Sequence, residues 1–305
     1  MAIERARVRA VQKPWGAVDL RPWSDISRDG ASVGELWYER RGKSAPNSSL
    51  LLKLLVTTQP LSIQVHPDDA CARTMGLPRG KTEAWYILSA APGARVAVGL
   101  KERIRSRQLR EAIDDGSIAS LVQWRRVVKD DVVFVPAGTI HSIGAGLVIA
   151  EIQQHSDTTF RMFDFGRQRE LDVDSAAAVA DAGPAQCQPA PSRLTDARSL
   201  LVVDPHFVLE RINLSPGSVW TFCAERETWL FMVSGTARVG PLDTSVADVV
   251  FAEGERVRID AGPLGLTCLA AYPGPTPAPD LLRSSDRLDT DPAIDGPARP
   301  LLQMQ

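Results

Sequence analysis

The stretch DVVFVPAG at residues 131–138 returns at 248–254 as DVVFAEG. In each case an aspartate leads into an apolar run of β-formers that ends at a glycine. A second pair recurs with it: Glu83, Ala84 and Trp85 followed by YILS are echoed by Glu227, Thr228 and Trp229 followed by LFMVS. Matching stretches at corresponding places in two halves of a chain read as a duplicated β unit. Between and around them lie further short β-type runs, LLLKLLV, SIQVH, ARVAVGL, LVIAEIQ, FVLERINL and RVRID, punctuated by 22 glycines and 22 prolines. Many short strands separated by turn residues predict an all-β sandwich or barrel architecture.

The clearest helical exception is SRQLREAIDDGSIASLVQW, residues 106–124. Leu109 and Ile113, then Ile118, Leu121 and Val122, recur at helical spacing, with Ser106 and Ser117 placed as N-caps and Gly116 as a break, so two short helices are expected, Trp124 closing the second. Residues 172–196 are rich in Ala, Pro, Asp and Ser without sustained apolar periodicity and read as a linker. The expected division is therefore a first unit over 1–171, the linker 172–196, a second unit over 197–272, and a Pro- and Asp-rich tail over 273–305 that wraps or lacks order.

With 305 residues and 44% hydrophobic content, the chain is large enough to bury substantial cores. Its 35 basic and 37 acidic residues are spread along the sequence for a formal charge of −2, which supplies no electrostatic footprint for nucleic acid or an anionic membrane. No apolar run reaches the eighteen or so residues of a membrane span, and the first residues, MAIERARVRAVQKPWG, have no apolar signal core. Cys71, Cys187, Cys223 and Cys268 are far apart and form no CxxC pair, which disfavours a disulfide framework or a thiolate zinc site. A cytoplasmic protein with reduced cysteines is expected.

The chemistry concentrates in LSIQVHPDD, residues 61–69. Leu61, Ile63 and Val65 alternate with other side chains, so Gln64 and His66 share the opposite face and can converge on one point. A carboxylate from Glu83 and an imidazole from His141, in the PAGTIH turn, would complete a nitrogen and oxygen set with one formal negative charge if the sheet closes on itself. Such a set suits Zn²⁺ or another divalent transition metal, one per chain. The second unit lacks it: Val257 stands three positions after Gly254, where His141 stands three after Gly138, and no histidine follows His206.

In this order, LSIQVHPDD, GKTEAWYIL, VPAGTIHSIG and EIQQHSDTTFR resemble the metal-dependent type I mannose-6-phosphate isomerases of the cupin superfamily, in their shorter bacterial form. The likeness runs from about Trp15 to Arg167 and includes KPWG and VGELWYE. It implies two cupin jelly-roll units, the second metal-free. It also implies metal ligands at Gln64, His66, Glu83 and His141, the motif lysine at Lys81 and the active-site arginine at Arg161. The implied reaction interconverts mannose 6-phosphate and fructose 6-phosphate through a cis-enediol, with a small-molecule sugar phosphate as partner. On this view Arg161 stabilises the enediolate or orients hydroxyls, and Lys81, its pKa lowered by the cation, shuttles a proton or grips phosphate. The group that moves the carbon-bound proton stays open.

Plainer readings compete. A lone strand histidine is more often a hydrogen-bonded structural group than a ligand, Lys81 beside Gly80 resembles an ordinary loop lysine, and Arg161 has Asp157 and Asp164 nearby to pair with. His155 stands where relatives often have Asn and is a rival ligand. Glu227 reads as an exposed strand residue or the cap of a vestigial pocket, His206 as structural, and Trp15, Trp37 and Trp85 as core. The rival functions are a non-catalytic sugar-phosphate-binding cupin that keeps the metal as a clasp, and a cupin oxygenase using iron.

Overall fold

A computed structural model describes residues 3–26, 30–41 and 48–285. Its strands form three antiparallel sheets, stacked so that the middle one is covered on both faces. The middle, six-stranded sheet has the order Arg7–Ala17, Val33–Glu39, Leu50–Thr57, Leu147–Gln154, Glu83–Ala90, Val132–Val135. The five-stranded sheet in front of it runs Phe160–Phe163, Ile63–Val65, His141–Ile143, Arg95–Leu100, Val122–Arg126. A ten-stranded sheet, built mostly from the C-terminal half, covers the other side.

Strand Glu83–Ala90 shows why the sequence produces this stack. Trp85 and Ile87 join Val96, Val98 and Ile143 in the core shared with the five-stranded sheet. Ala84, Tyr86 and Leu88 join Trp229, Phe231 and Phe251 in the core shared with the ten-stranded sheet. A strand buried on both faces has no polar side to present, hence the unbroken run AWYIL. Strand Thr228–Val239 repeats the arrangement: Trp229, Phe231 and Val233 face that common core, while Leu230 and Met232 face the interior of the curled second sheet. The mostly-β expectation holds, and the duplicated run is its clearest mark.

The boundaries differ from those expected. Strand Ile3–Arg5 leaves the first half and pairs with Val249–Ala252 of the ten-stranded sheet, because the chain at its start lies along that sheet's open edge. The 172–196 stretch is largely docked: helix Val173–Val179 packs on the outer face of the five-stranded sheet among Leu109, Ile113 and Met162. Beyond it, the Asp181 N–H donates to Gly138 O at 2.8 Å, and the Gln188 side chain bonds both backbone groups of Phe134. Small Ala side chains let this helix lie close to the sheet, a contact that composition alone reads as a linker.

The two short helices are Ser106–Asp114 and Ile118–Leu121, broken at Gly116 with φ +78°. Arg105, not Ser106, is the first N-cap, its N–H donating to the Gln108 side chain at 2.9 Å, and Ser117 makes no side-chain cap bond. Trp124 lies in strand Val122–Arg126, where Arg95 stacks on it at 4.9 Å. Of the tail, strand Leu282–Ser284 pairs with Val219–Ala224, and residues 286–305 lie outside the described residues. Among the described residues, no helix is long and apolar enough to cross a membrane.

Candidate metal centre and cavity

In the five-stranded sheet Gln64 lies opposite His141 on one side and opposite Arg161 on the other. Residues paired across antiparallel strands project from the same face. His66 follows two residues after Gln64 and therefore shares that face. Glu83 opens its strand in the facing sheet, so its carboxylate meets the two histidines across the sandwich. His66 Nε2 is 3.5 Å from Glu83 Oε2, and His141 Nε2 is 3.5 Å from Glu83 Oε1. One ligand atom from each of the three lies within 4.8 Å of the others, and each residue is 1% exposed.

Backbone carbonyls set the tautomers. His66 Nδ1 lies 2.8 Å from Thr158 O and His141 Nδ1 lies 2.8 Å from Thr139 O. A carbonyl can only accept, so Nδ1 carries the proton in both rings and the two Nε2 lone pairs face Glu83. Burial, reinforced by the Lys81 charge, pushes His66 down to about 3, and burial also lowers His141. Both rings are neutral near pH 7. Burial alone would raise the Glu83 carboxyl, but the Lys81 charge beside it holds it well below the usual carboxylate range.

Glu83 Oε2 is buried and accepts no hydrogen bond of good geometry, although Lys81 Nζ stands 2.9 Å away as an ion-pair partner. Oε1 accepts from the Trp85 indole at 3.1 Å. Two unprotonated ring nitrogens and a carboxylate oxygen with unused acceptor capacity, all aimed at one point, fit a divalent cation.

Gln64 departs from its expected pose. Its Nε2 sits 3.3 Å from His141 Nε2, whereas Oε1 accepts from Ser62 Oγ at 3.0 Å. Turning the amide over exchanges the two atoms and brings Oε1 beside His141. In metal-free protein, burial would lower the Lys81 pKa, but the charges of Glu83 and Glu151 outweigh that and raise it. Its ammonium also lies 3.1 Å from His66 Nε2.

His155 is no rival ligand: its Nδ1 sits 3.1 Å from Ser48 Oγ, away from the cluster. Glu227 is buried rather than exposed. It repeats the Glu83–Trp85 geometry, taking the Trp229 indole N–H at 3.0 Å, but accepts the Ser49 and Leu50 backbone N–H groups at 2.6 and 3.0 Å. The second copy of the motif thus joins the two halves.

Beside the cluster lies a cavity of about 230 Å³, lined by Gln64, Lys81 and Glu83. The other cations on its wall are Lys13, Lys53, Arg161 and Arg169, and the other carboxylates are Glu35, Glu151 and Asp157. Lys53 lies 3.0 Å from Asp157 and 3.7 Å from Glu151. Burial, with the neighbouring Glu83 charge, pushes the Glu151 carboxyl up to about 7. Arg161 makes no ion pair with Asp157 or Asp164; one terminal nitrogen donates to Glu170 O at 2.7 Å, and its buried Nε has no partner. Asp164 is instead taken by Arg167 and Arg169.

Lys53, Glu151 and Glu35 escaped the sequence reading, yet the first two left a signal. Lys53 interrupts LLLKLLV, and Glu151 interrupts LVIAEIQ. A charge in the middle of an otherwise apolar strand is costly unless it faces a polar cavity or partner.

No protein-family profile matches the chain. A mannose-6-phosphate isomerase from Streptococcus mutans is 37% identical over 202 residues, 62% of this chain and 63% of the relative. One from Bacillus subtilis is 34% identical over 166 residues, 50% of this chain and 51% of the relative. The matched segments thus span between half and two thirds of these curated relatives' lengths. Among solved structures, a mannose 6-phosphate isomerase from Bacillus subtilis superposes with a TM-score of 0.78 at 21% identity, covering 89% of this chain and all of that one. A phosphomannose isomerase from Salmonella typhimurium does so with a TM-score of 0.72 at 14% identity, covering 90% of this chain and all of that one. At these identities the structural likeness establishes the fold, and the resemblance read from the motifs is borne out.

Proposed function

We propose that this chain, related to the mannose-6-phosphate isomerases in sequence and in fold, is a metal-dependent aldose–ketose isomerase interconverting mannose 6-phosphate and fructose 6-phosphate. The observation that supports it most directly is the buried His66, Glu83 and His141 cluster at the wall of a cavity lined by charged side chains of both signs, Arg161 among them. Gln64, His66, Glu83 and His141 are the assigned ligands, with Zn²⁺ as the ion that best suits the set. The two halves are read as cupin-type units, the first bearing the metal over about 1–171 and the second, over 197–272, metal-free. The shared Glu-x-Trp geometry supports their common origin.

Isomerisation removes the C2 proton of an aldose and returns a proton to C1 of a cis-enediol while negative charge grows on oxygen. A divalent ion held by this set would supply Lewis-acid charge beside that oxygen. The chain's own groups do the rest. Arg161, fixed through Glu170 and unpaired with any carboxylate among the described residues, offers a planar donor to the sugar phosphate or its enediolate. Lys81, held charged by Glu83, is suited to steady an oxyanion rather than to act as a base. Glu151, its carboxyl near neutrality beside Lys53, is the group best matched to carry a proton at pH 7.

One observation favours a second reading. Two histidines and one carboxylate also form the ligand set of non-haem iron oxygenases. Arg161 on the cavity wall, paired with no carboxylate among the described residues, favours a phosphorylated substrate instead.

The test is to incubate zinc-loaded protein with mannose 6-phosphate and, separately, glucose 6-phosphate, and to follow fructose 6-phosphate before and after chelation. Turnover of mannose 6-phosphate that disappears with the metal is expected. His141→Ala should lose the metal, and Arg161→Ala should keep it while turning over about 100-fold more slowly, the cost of one preorganised charge donor. Turnover that survives complete metal removal, or oxygen uptake by the iron-loaded protein without isomerisation, overturns the proposal.

A further inference from the structure

We infer that Asp69 and Gln154 are positioning residues that hold Lys81 against Glu83, an inference that rests on the isomerase reading. The second Asp of HPDD and the second Gln of EIQQ carry no role in the site as described so far. The Gly80 N–H donates to Asp69 Oδ1 at 2.7 Å, and the Thr82 N–H donates to Gln154 Oε1 at 2.8 Å. Gln154 Nε2 donates to the same Asp69 oxygen at 3.0 Å, so the two side chains form one bracket. Between them, the Lys81 N–H donates to Pro67 O at 3.0 Å. The amides before, at and after Lys81 are therefore all tied to fixed acceptors.

Three details make the bracket specific. Asp68, not Asp69, caps the following helix by accepting the Cys71 N–H at 2.7 Å, which leaves Asp69 for the Gly80 segment. Gly80 lies directly against the Pro67–Asp69 turn: a Cβ there would meet Asp68 C at 2.5 Å and Pro67 O at 2.6 Å. The far oxygen of Asp69 faces the C-terminal half, 3.9 Å from His206 Nδ1. A lysine side chain has four rotatable bonds, and where its ammonium dwells depends first on a fixed backbone. Here that end point is 2.9 Å from Glu83 Oε2 and 3.1 Å from His66 Nε2.

The experiment compares Asp69→Ala, Asp69→Asn, Lys81→Ala and the Asp69→Ala/Lys81→Ala pair in zinc-loaded protein, with amide hydrogen exchange at Gly80 and Thr82. Asp69→Ala should lower kcat about 10-fold with KM and metal content little changed, since small misplacements of a catalytic group cost rate. Asp69→Asn, whose Oδ1 can accept the same two N–H groups, should restore most of the rate. In the Lys81→Ala background, Asp69→Ala should cost less than about 2-fold, the mark of two residues acting as a unit. Gly80 and Thr82 exchange should accelerate in Asp69→Ala but not in Asp69→Asn. The inference is overturned if Asp69→Ala keeps full kcat despite faster exchange, or if the losses multiply in the double variant. Absence of turnover in the parent protein would sink the isomerase reading instead. In that event exchange alone decides the bracket, and unchanged protection at Gly80 and Thr82 in Asp69→Ala refutes it.

Discussion

Glu151 is the side chain whose burial has the plainest consequence in solution. Folding lifts its carboxyl from 4.5 to about 7, so between those values the folded chain binds more protons than the unfolded one. Stability attributable to this group is therefore fully present below pH 4.5 and is lost as pH rises through 7. Each unit of displacement corresponds to about 1.4 kcal/mol. Glu151→Gln removes the ionisation while keeping shape, so in metal-free protein it should stabilise the fold at pH 8 by about 3 kcal/mol, seen as a higher melting temperature, and leave stability unchanged at pH 4.5. Melting curves of both proteins across this range check it, and parallel curves would count against the assignment. The site residues divide by how openly the sequence displays them. His66, Glu83 and His141, which the structure brings together, are legible because β alternation and motif spacing act on types that ligate metals. Glu151 and Lys53 are not, because their meaning depends on which face of a doubly covered sheet they occupy, and a run buried on both sides hides its own period.

The same concealment operates on whole elements. Strands announced themselves as apolar runs, but their partners did not: nothing in VVFV says that Val132–Val135 is the edge of its sheet. That edge is covered by the 172–196 stretch, whose Gln188 accepts the Phe134 N–H at 2.8 Å and donates to Phe134 O at 3.0 Å, as a neighbouring strand would. Composition marked the stretch as linker because Ala and Pro dock through backbone and shape rather than through an apolar stripe. Gly99, with φ +73°, shows how close the docking is, since a Cβ there would meet Ala185 N at 2.2 Å. Gln188→Ala should then destabilise the protein by about 1–2 kcal/mol, two partly exposed hydrogen bonds replaced in part by water. Denaturant titration measures this, with metal content expected to stay the same; a stability equal to that of the parent protein would mean that the stretch contributes no edge protection.

At the scale of the molecule, the two halves share one hydrophobic core rather than meeting at a separable surface. Leu36, Tyr38, Leu52, Leu54 and Tyr86 of the middle sheet pack with Phe207, Leu209, Trp229 and Phe231 of the ten-stranded sheet, Tyr38 meeting Phe231 edge-on at 5.7 Å. Strand Ile3–Arg5 crosses over, and Glu227 holds the Ser49 and Leu50 amides from the other side. The C-terminal half is thus placed to support the sheet that carries Glu83. Fully burying each such side chain is worth about 1.5–3 kcal/mol, so removing the covering half forfeits more than the whole stability of an ordinary domain. A chain ended at residue 196 should accordingly fail to fold: it should elute as aggregate or bind a hydrophobic dye strongly, and show no near-ultraviolet circular dichroism, even though every proposed metal ligand is present. The intact protein should melt in one transition whose calorimetric and van't Hoff enthalpies agree. A monomeric 1–196 fragment that binds zinc with native side-chain ellipticity would show instead that the first unit stands alone and that the shared core is an accessory.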